Sequence, residues 1–411
     1  MFSPKNILFI SYDGLTDPLG QSQIIPYLAG LSKLGYNFTI LTCEKSQNYF
    51  LHKENVETMI ASANLKWVPI MYHKKPAVLS TMYDVMQLKK KAKRLHTKER
   101  FDMVHTRPGI PALIGLEMKK KFGIKFLNDI REFYADSRIE GKIWNEKNFF
   151  YKKIYKFFKQ KEKEAVEKND GIVCLTFAAQ KIIKEWREYK INRPFQVIPC
   201  SVDTNLFDAN KLDFSLKERF KKQLKIEEED FIISYLGSLG TWYLIKEMIE
   251  FFKIISDKNP AAKFLFISPA PKEAIIKEAR KCGLNENKIM IKKAKRNEVP
   301  VLLSFSKLSV FFIKSCYSKQ SSSPTKLAEI MAMGIPVITN SGIGDVEEIV
   351  EKYHSGIVLK ELNDSSFKSV AELICKKNDF KENEIRKAAE EFYNLDNAVE
   401  KYYEIYQQIL K

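Results

Sequence analysis

A run of small polar residues meets a lysine at Ser321, Ser322, Ser323, Pro324, Thr325 and Lys326, and a carboxylate, Glu329, follows. LSVFFIK before the run reads as a strand and SCYSKQSSSP as a polar loop. Thr325 to Met333 reads as a helix that Gly334 stops, with Pro336 in the next strand. Unbonded backbone N–H groups at such a helix start, with hydroxyls beside them, make an anion pocket. Lys326 stands at the wrong end of the helix for the dipole, which points to an anion as its partner. Thr325, Lys326 and Glu329 share one face, so the carboxylate can accept hydrogen bonds from a ribose beside that anion. The plain alternative is an N-capped amphipathic helix with a solvated Lys–Glu pair.

A second candidate is YLGSLGTWYLIKEM, residues 235 to 248. A glycine turn leaves a strand and enters a helix, and Gly237 and Gly240 let the backbone come close to a phosphate. A tight strand-to-helix turn explains the same pattern without a ligand. Five polar residues stand at two other strand ends: His105, Arg107, Asp129, Arg131 and Glu132. Arg107 and Arg131 are candidate catalytic residues beside Lys326 and could each contact a phosphate or an acceptor; as single residues they also read as salt-bridge partners. In NFFYKKIYKFFKQKEKEAVEK, residues 148 to 168, lysines alternate with aromatics at helical spacing. That is a core-packed helix with a basic outer face, or a helix lying on an anionic membrane. NSGIGDVEEIV, residues 340 to 350, reads as a glycine turn capped by Asp345.

These segments need a scaffold. Short apolar strands alternate with helices: NILFISY (6–12), YNFTILTC (36–43), LKWVPI (65–70), FDMVHT (101–106), IKFLNDI (124–130), GIVCLT (171–176) and FQVIPCSVD (195–203). The alternation restarts at FIISYLGSLG (231–240) and continues through AKFLFIS, KIMIKK, LSVFFIK and IPVITN. A charged stretch near 204 to 230 reads as the linker. The pattern is α/β: two doubly wound parallel sheets, whose ligands sit at the carboxyl ends of the strands. The expected domains are 1–204 and 205–388, facing across a cleft, with a last helix at 389–411.

The chain has 411 residues, which suits two cores better than one. No window is apolar enough to span a membrane, and MFSPKNILFISYDG reads as a buried strand rather than a signal peptide. The six cysteines stand apart with no CxxC pair, as expected of buried thiols in a reducing compartment. The five histidines show no metal-ligand spacing, so no metal is expected. The net charge of +17 attracts polyanions. No nucleic-acid-binding motif is present, so nucleic acid is not an expected partner.

The stretch Ser322 to Glu329, with MAMGIPVITN after it, resembles the donor site of glycosyltransferase family 4. That family carries Glu-x(7)-Glu before Gly-x-Pro-Val-Ile. Glu329 matches the second glutamate, and Ser321 stands where the first would be. The resemblance implies a GT-B fold of two Rossmann-like domains, with the last helix packing back on the first. It implies retaining transfer from a nucleotide diphosphate sugar, as co-substrate, to a glycan or lipid-linked acceptor. No cofactor or obligate metal is implied. Lys326, with the hydroxyls and the helix start, would stabilise the leaving diphosphate. Gly237, Ser238, Gly240, Thr241 and Lys246 would hold the donor, as would Ser321 through Lys326 and Glu329. Gly14, Gly20 and Gln21 of the loop DGLTDPLGQSQ would border acceptor and phosphates. The expected place is the cytoplasm, with an anionic membrane surface as a further partner and cell-surface polysaccharide assembly as the setting. The rivals are a non-catalytic nucleotide-sugar or polyanion-binding protein and a GT-B nucleotide-sugar epimerase.

Overall fold

A computed structural model describes residues 4–376 and 379–411. Residues 1–3 and 377–378, which fall within the two expected domain spans, lie outside the described residues. The chain divides into two compact units. The first is Met1–Cys200 with Gln320–Ser322 and Leu395–Lys411; the second is Ser201–Lys319 with Ser323–Asn394.

The first unit holds seven strands: β1 (Lys5–Ser11), β2 (Tyr36–Glu44), β3 (Lys66–Met71), β4 (Met103–Arg107), β5 (Lys125–Ile130), β6 (Gly171–Cys174) and β7 (Phe195–Val197). Their order is β3-β2-β1-β4-β5-β6-β7, and the strand pairs are parallel. The second unit holds β8 (Phe231–Leu236), β9 (Ala262–Ile267), β10 (Ile289–Lys292), β11 (Leu308–Val310), β12 (Val337–Asn340) and β13 (Gly356–Leu359). It is also parallel, in the order β10-β9-β8-β11-β12-β13. The central strands are continuous apolar runs because helices cover both faces of each sheet. Ile7, Leu8, Phe9 and Ile10 of β1 are all buried, as are Ile232 through Leu236 of β8. Each unit therefore has the doubly wound architecture expected from the alternation.

Three expectations are corrected. The stretch 204–230 is not a bare linker. It contains the helix Phe214–Leu224, whose Asp213 cap accepts from the Leu216 N–H at 3.0 Å. Phe207 and Phe220 are buried in the second core. The last helix is two helices, Glu382–Phe392 and Leu395–Leu410. Between them the Tyr393 carbonyl accepts from the Val202 N–H at 2.8 Å, which ties the break into the second unit. The loop after β1 is partly helical, at Pro18–Gln23, because Pro18 suits a first helical turn.

Leu395–Leu410 packs into the first unit through buried Tyr402, Ile405, Tyr406 and Ile409. Small residues admit it: a Cβ on Gly30 would lie 2.7 Å from Val399, and one on Gly171 would lie 2.5 Å from Ile409. β13 has no counterpart in the sequence reading. GIVL is four residues long at a sheet edge, too short for a period to show.

Candidate active site

In the second sheet the strand order reverses between β8 and β11. Ligands of such sheets bind outside that point. The segment after β8 begins at Gly237, whose φ of +119° a side chain would strain. The helix does not follow the glycine turn directly but starts at Ile245, because Trp242 and Leu244 first pair with the segment after β11. The Leu244 N–H donates to the Phe312 carbonyl at 3.0 Å and the Lys314 N–H to the Trp242 carbonyl at 2.8 Å. β11 is correspondingly shorter than the expected LSVFFIK. Beyond Val310 the backbone is clamped by Asn340, which accepts from the Ile313 N–H at 2.8 Å and donates to its carbonyl at 2.9 Å.

Against this platform the helix Thr325–Ala332 begins, with Pro324 as its cap residue and no side-chain cap bond. Lys326 is buried. Its Nζ donates to the Tyr235 hydroxyl at 3.1 Å and lies 3.7 Å from the Tyr243 ring centre and 4.2 Å from that of Tyr235. A Cβ on Gly237 would come within 3.0 Å of the same nitrogen, so the glycine leaves the lysine its place. Aromatic faces favour the ammonium. Burial nevertheless pulls the Lys326 pKa well below its ordinary value of 10.5, and nearby Glu329 opposes that only in part. Between the lowered pKa and 10.5 the unfolded chain binds the extra proton, so this residue's contribution to stability rises with pH.

Glu329 is buried one turn on and ion-paired with Arg296, whose guanidinium also lies 4.7 Å from the Phe207 ring centre. Sequence reasoning missed Arg296. Its signal was its position just after the strand KIMIK, where ligand residues gather. It also missed Lys319, which stands 3.7 Å from the ring centre of Trp242.

The structure thus brings Gly237, Lys326 and Glu329 together. Ser322, Ser323 and Thr325 stand half-exposed at the same helix start. Ser238, Gly240 and Thr241 are exposed on the glycine segment. Lys246 is a correction: it lies on the outer face of its helix, paired with Glu250 at 3.4 Å. Ser321 is a second correction. It is buried and belongs to the first unit, where its hydroxyl accepts from the Phe133 N–H at 3.0 Å.

In the first unit Arg107 and Arg131 are turned into a buried cluster around Asp129. Asp129 lies 3.7 Å from Arg131 and 3.9 Å from Arg107, and accepts from the Tyr402 hydroxyl at 2.7 Å. Arg107 also donates to the Gln23 carbonyl and Arg131 to the Ile198 carbonyl. His105 joins through Asp129 at 3.4 Å and Tyr406 at 2.7 Å. Burial alone would raise the Asp129 pKa, but Arg131, His105 and Arg107 hold it far below the usual carboxylate range. In place of the expected catalytic role both arginines have a structural one: they compensate the buried Asp129 charge, while Asp129 and His105 hold the last helix through Tyr402 and Tyr406. Glu132 faces elsewhere, toward Arg138 and Ser137.

The loop after β1 is built on a residue the sequence reading passed over, Glu44. Its buried carboxylate accepts from the N–H of Leu15 at 2.8 Å, from the N–H of Thr16 at 3.2 Å, and from the hydroxyls of Thr16 and Thr42 at 2.5 Å each. A Cβ on Gly14 would meet that carboxylate at 2.3 Å, and one on Gly20 would meet the Gly14 carbonyl at 2.3 Å. Gln21 donates to the Thr16 carbonyl at 3.3 Å. All three candidates here shape the loop. We expect Glu44→Ala, which strands these donors, to lose about 2–4 kcal/mol of unfolding free energy in urea titration; a loss under about 0.5 kcal/mol would contradict this.

Among the described residues no group of three or more His, Cys, Asp or Glu side chains could hold a metal ion. No helix among them is long and apolar enough to cross a membrane.

Residues 217–392 match the model of the family described as Glycosyl transferases group 1. The fold is that of GT-B glycosyltransferases. A glycosyltransferase from Rickettsia africae superposes with a TM-score of 0.73 at 15% identity, covering 100% of both chains. HepE of Anabaena, solved with UDP and glucose, gives 0.71 at 12% identity over 98% of this chain and 99% of its own. WaaG, a glycosyltransferase involved in lipopolysaccharide biosynthesis, gives 0.66 at 13% over 95% and 97%. A search of curated protein sequences gives no match. The family match thus falls on the second unit of a chain of GT-B fold.

Proposed function

We propose that the protein is a retaining glycosyltransferase of the family 4 kind, moving a hexose from a nucleoside diphosphate sugar to a glycan or lipid-linked acceptor. The observation that carries this is the buried Lys326 amino group at a helix start, beside Gly237 at the reversal point of the second sheet. In the reaction the bond from the anomeric carbon to the diphosphate oxygen breaks, and the electron pair leaves with the phosphate. The acceptor hydroxyl bonds to the same face of that carbon, and its proton passes to the departing phosphate. Lys326 and the N–H groups of the Thr325–Ala332 helix offset the growing negative charge, so no metal ion is needed in this reading. Arg296 fixes one oxygen of Glu329 and leaves the other to accept from a ribose hydroxyl.

HepE, solved with UDP and glucose, makes UDP-sugars the first donors to try. The net charge of +17 and the likeness to WaaG support cell-surface polysaccharide assembly, in the cytoplasm at the inner face of an anionic membrane. A second reading, a nucleotide-sugar binder that does not transfer, rests on Ser321, whose hydroxyl is already bonded where the family has a glutamate.

The test is nucleotide release from a panel of UDP- and GDP-sugars, with glycan and lipid-linked acceptor extracts. Release that depends on Lys326 and Glu329 is the expected result. Binding of nucleotide with no release from any donor would leave the second reading.

A further inference from the structure

The first unit holds a cavity of about 1010 Å³ that the donor site does not use. That is at the upper end of the ~300–1,000 Å³ of ligand pockets. Its lining includes Tyr12 and Tyr72, the residues that follow β1 and β3, so it lies beside the carboxyl ends of those strands. Its walls are apolar. One is the helix Leu79–Glu99, which contributes Met82 and Met86; the other is Ile143 with Phe157 of the helix Phe149–Lys168. These four side chains are 57%, 60%, 54% and 46% exposed.

Leu79, Tyr83, Phe149 and Phe150 extend the exposed apolar surface on the same two helices. Clustered apolar exposure of this kind marks a binding surface, and methionines adapt to flexible chains. The rim is basic. Lys74, Lys120 and Lys153 line the cavity and have no carboxylate partner among the described residues, whereas Lys89 pairs with Glu117 and Lys161 with Glu164. Unpaired cations over an apolar groove complement an anionic head on a hydrocarbon tail. A polypeptide partner would not need a groove that reaches the ends of the strands.

We infer that this groove takes the hydrocarbon chain of a phosphate-bearing lipid acceptor, with the phosphate against the rim lysines. The inference rests on the transferase reading for the word acceptor; the binding itself does not.

The probe is a series of alkyl phosphates of increasing chain length, with farnesyl phosphate, titrated calorimetrically below their micelle concentrations. Affinity should rise about threefold to fourfold per methylene. Alkyl maltosides of the same length should bind at least tenfold more weakly. Met86→Glu and Ile143→Glu, at exposed positions that tolerate a charge in the fold, should each weaken alkyl phosphate at least tenfold while leaving UDP and GDP binding unchanged. No binding of any chain, or binding indifferent to length and to both substitutions, would overturn the inference. So would association with anionic phospholipid vesicles without binding of the monomeric phosphates, which would make the patch a membrane surface, or loss of a dimer in Met86→Glu, which would make it a self-contact. Each of these leaves nucleotide release, and so the donor-site reading, standing.

Discussion

Lys326→Ala is expected to slow nucleotide release by roughly 10²–10³-fold, the usual cost of losing one preorganised donor to a developing negative charge. The effect should fall on kcat as well as on KM, because the charge on the diphosphate grows as the sugar leaves. Lys326→Arg should not rescue it. The ammonium is seated 3.1 Å from the Tyr235 hydroxyl and 3.7 Å from the Tyr243 ring centre, and a Cβ at Gly237 would lie 3.0 Å away. A planar guanidinium has no room there. Steady-state release from the best donor in the panel checks this. A variant with near wild-type turnover would remove Lys326 from the chemistry.

Asp129→Ala is expected to destabilise the first unit by about 3–5 kcal/mol, because it leaves Arg107 and Arg131 buried without their counter-charge. Asp129→Asn should recover little. It keeps an acceptor for the Tyr402 hydroxyl but not the negative charge that lies 3.7 and 3.9 Å from the two arginines. Three of the four tryptophans, Trp67, Trp144 and Trp186, lie in the first unit, so their fluorescence in urea follows its unfolding. A loss below about 1 kcal/mol would mean that the cluster is not what anchors the last helix.

Both doubly wound units were legible in the sequence because their strands are long apolar runs between helices of clear period. The candidate site was legible where its parts are local: Ser322 to Glu329 lies in one loop and one helix turn, and Gly237 falls at a strand end. What was not legible depends on partners distant in sequence. Arg107 and Arg131 look like site residues from their places after β4 and β5. They become structural because buried Asp129, 22 positions from Arg107, lies between them and is held in turn by Tyr402 of the last helix. Arg296 and Glu329 stand 33 positions apart. Lys246 has a site-like position in sequence, but the pairing of Trp242 and Leu244 with Phe312 and Lys314 delays its helix and turns it outward.

The central claim is that Lys326 holds a nucleoside diphosphate. Calorimetric titration of UDP and GDP at a series of pH values below 10.5, in two buffers of different ionisation enthalpy, tests it on the wild type and on Lys326→Met. Burial favours the neutral amine and an arriving diphosphate favours the ammonium, so binding should take up a fraction of a proton and weaken as pH rises. The account predicts that Lys326→Met binds at least tenfold more weakly and loses the proton uptake. Equal affinity and equal proton uptake in the two proteins would contradict it.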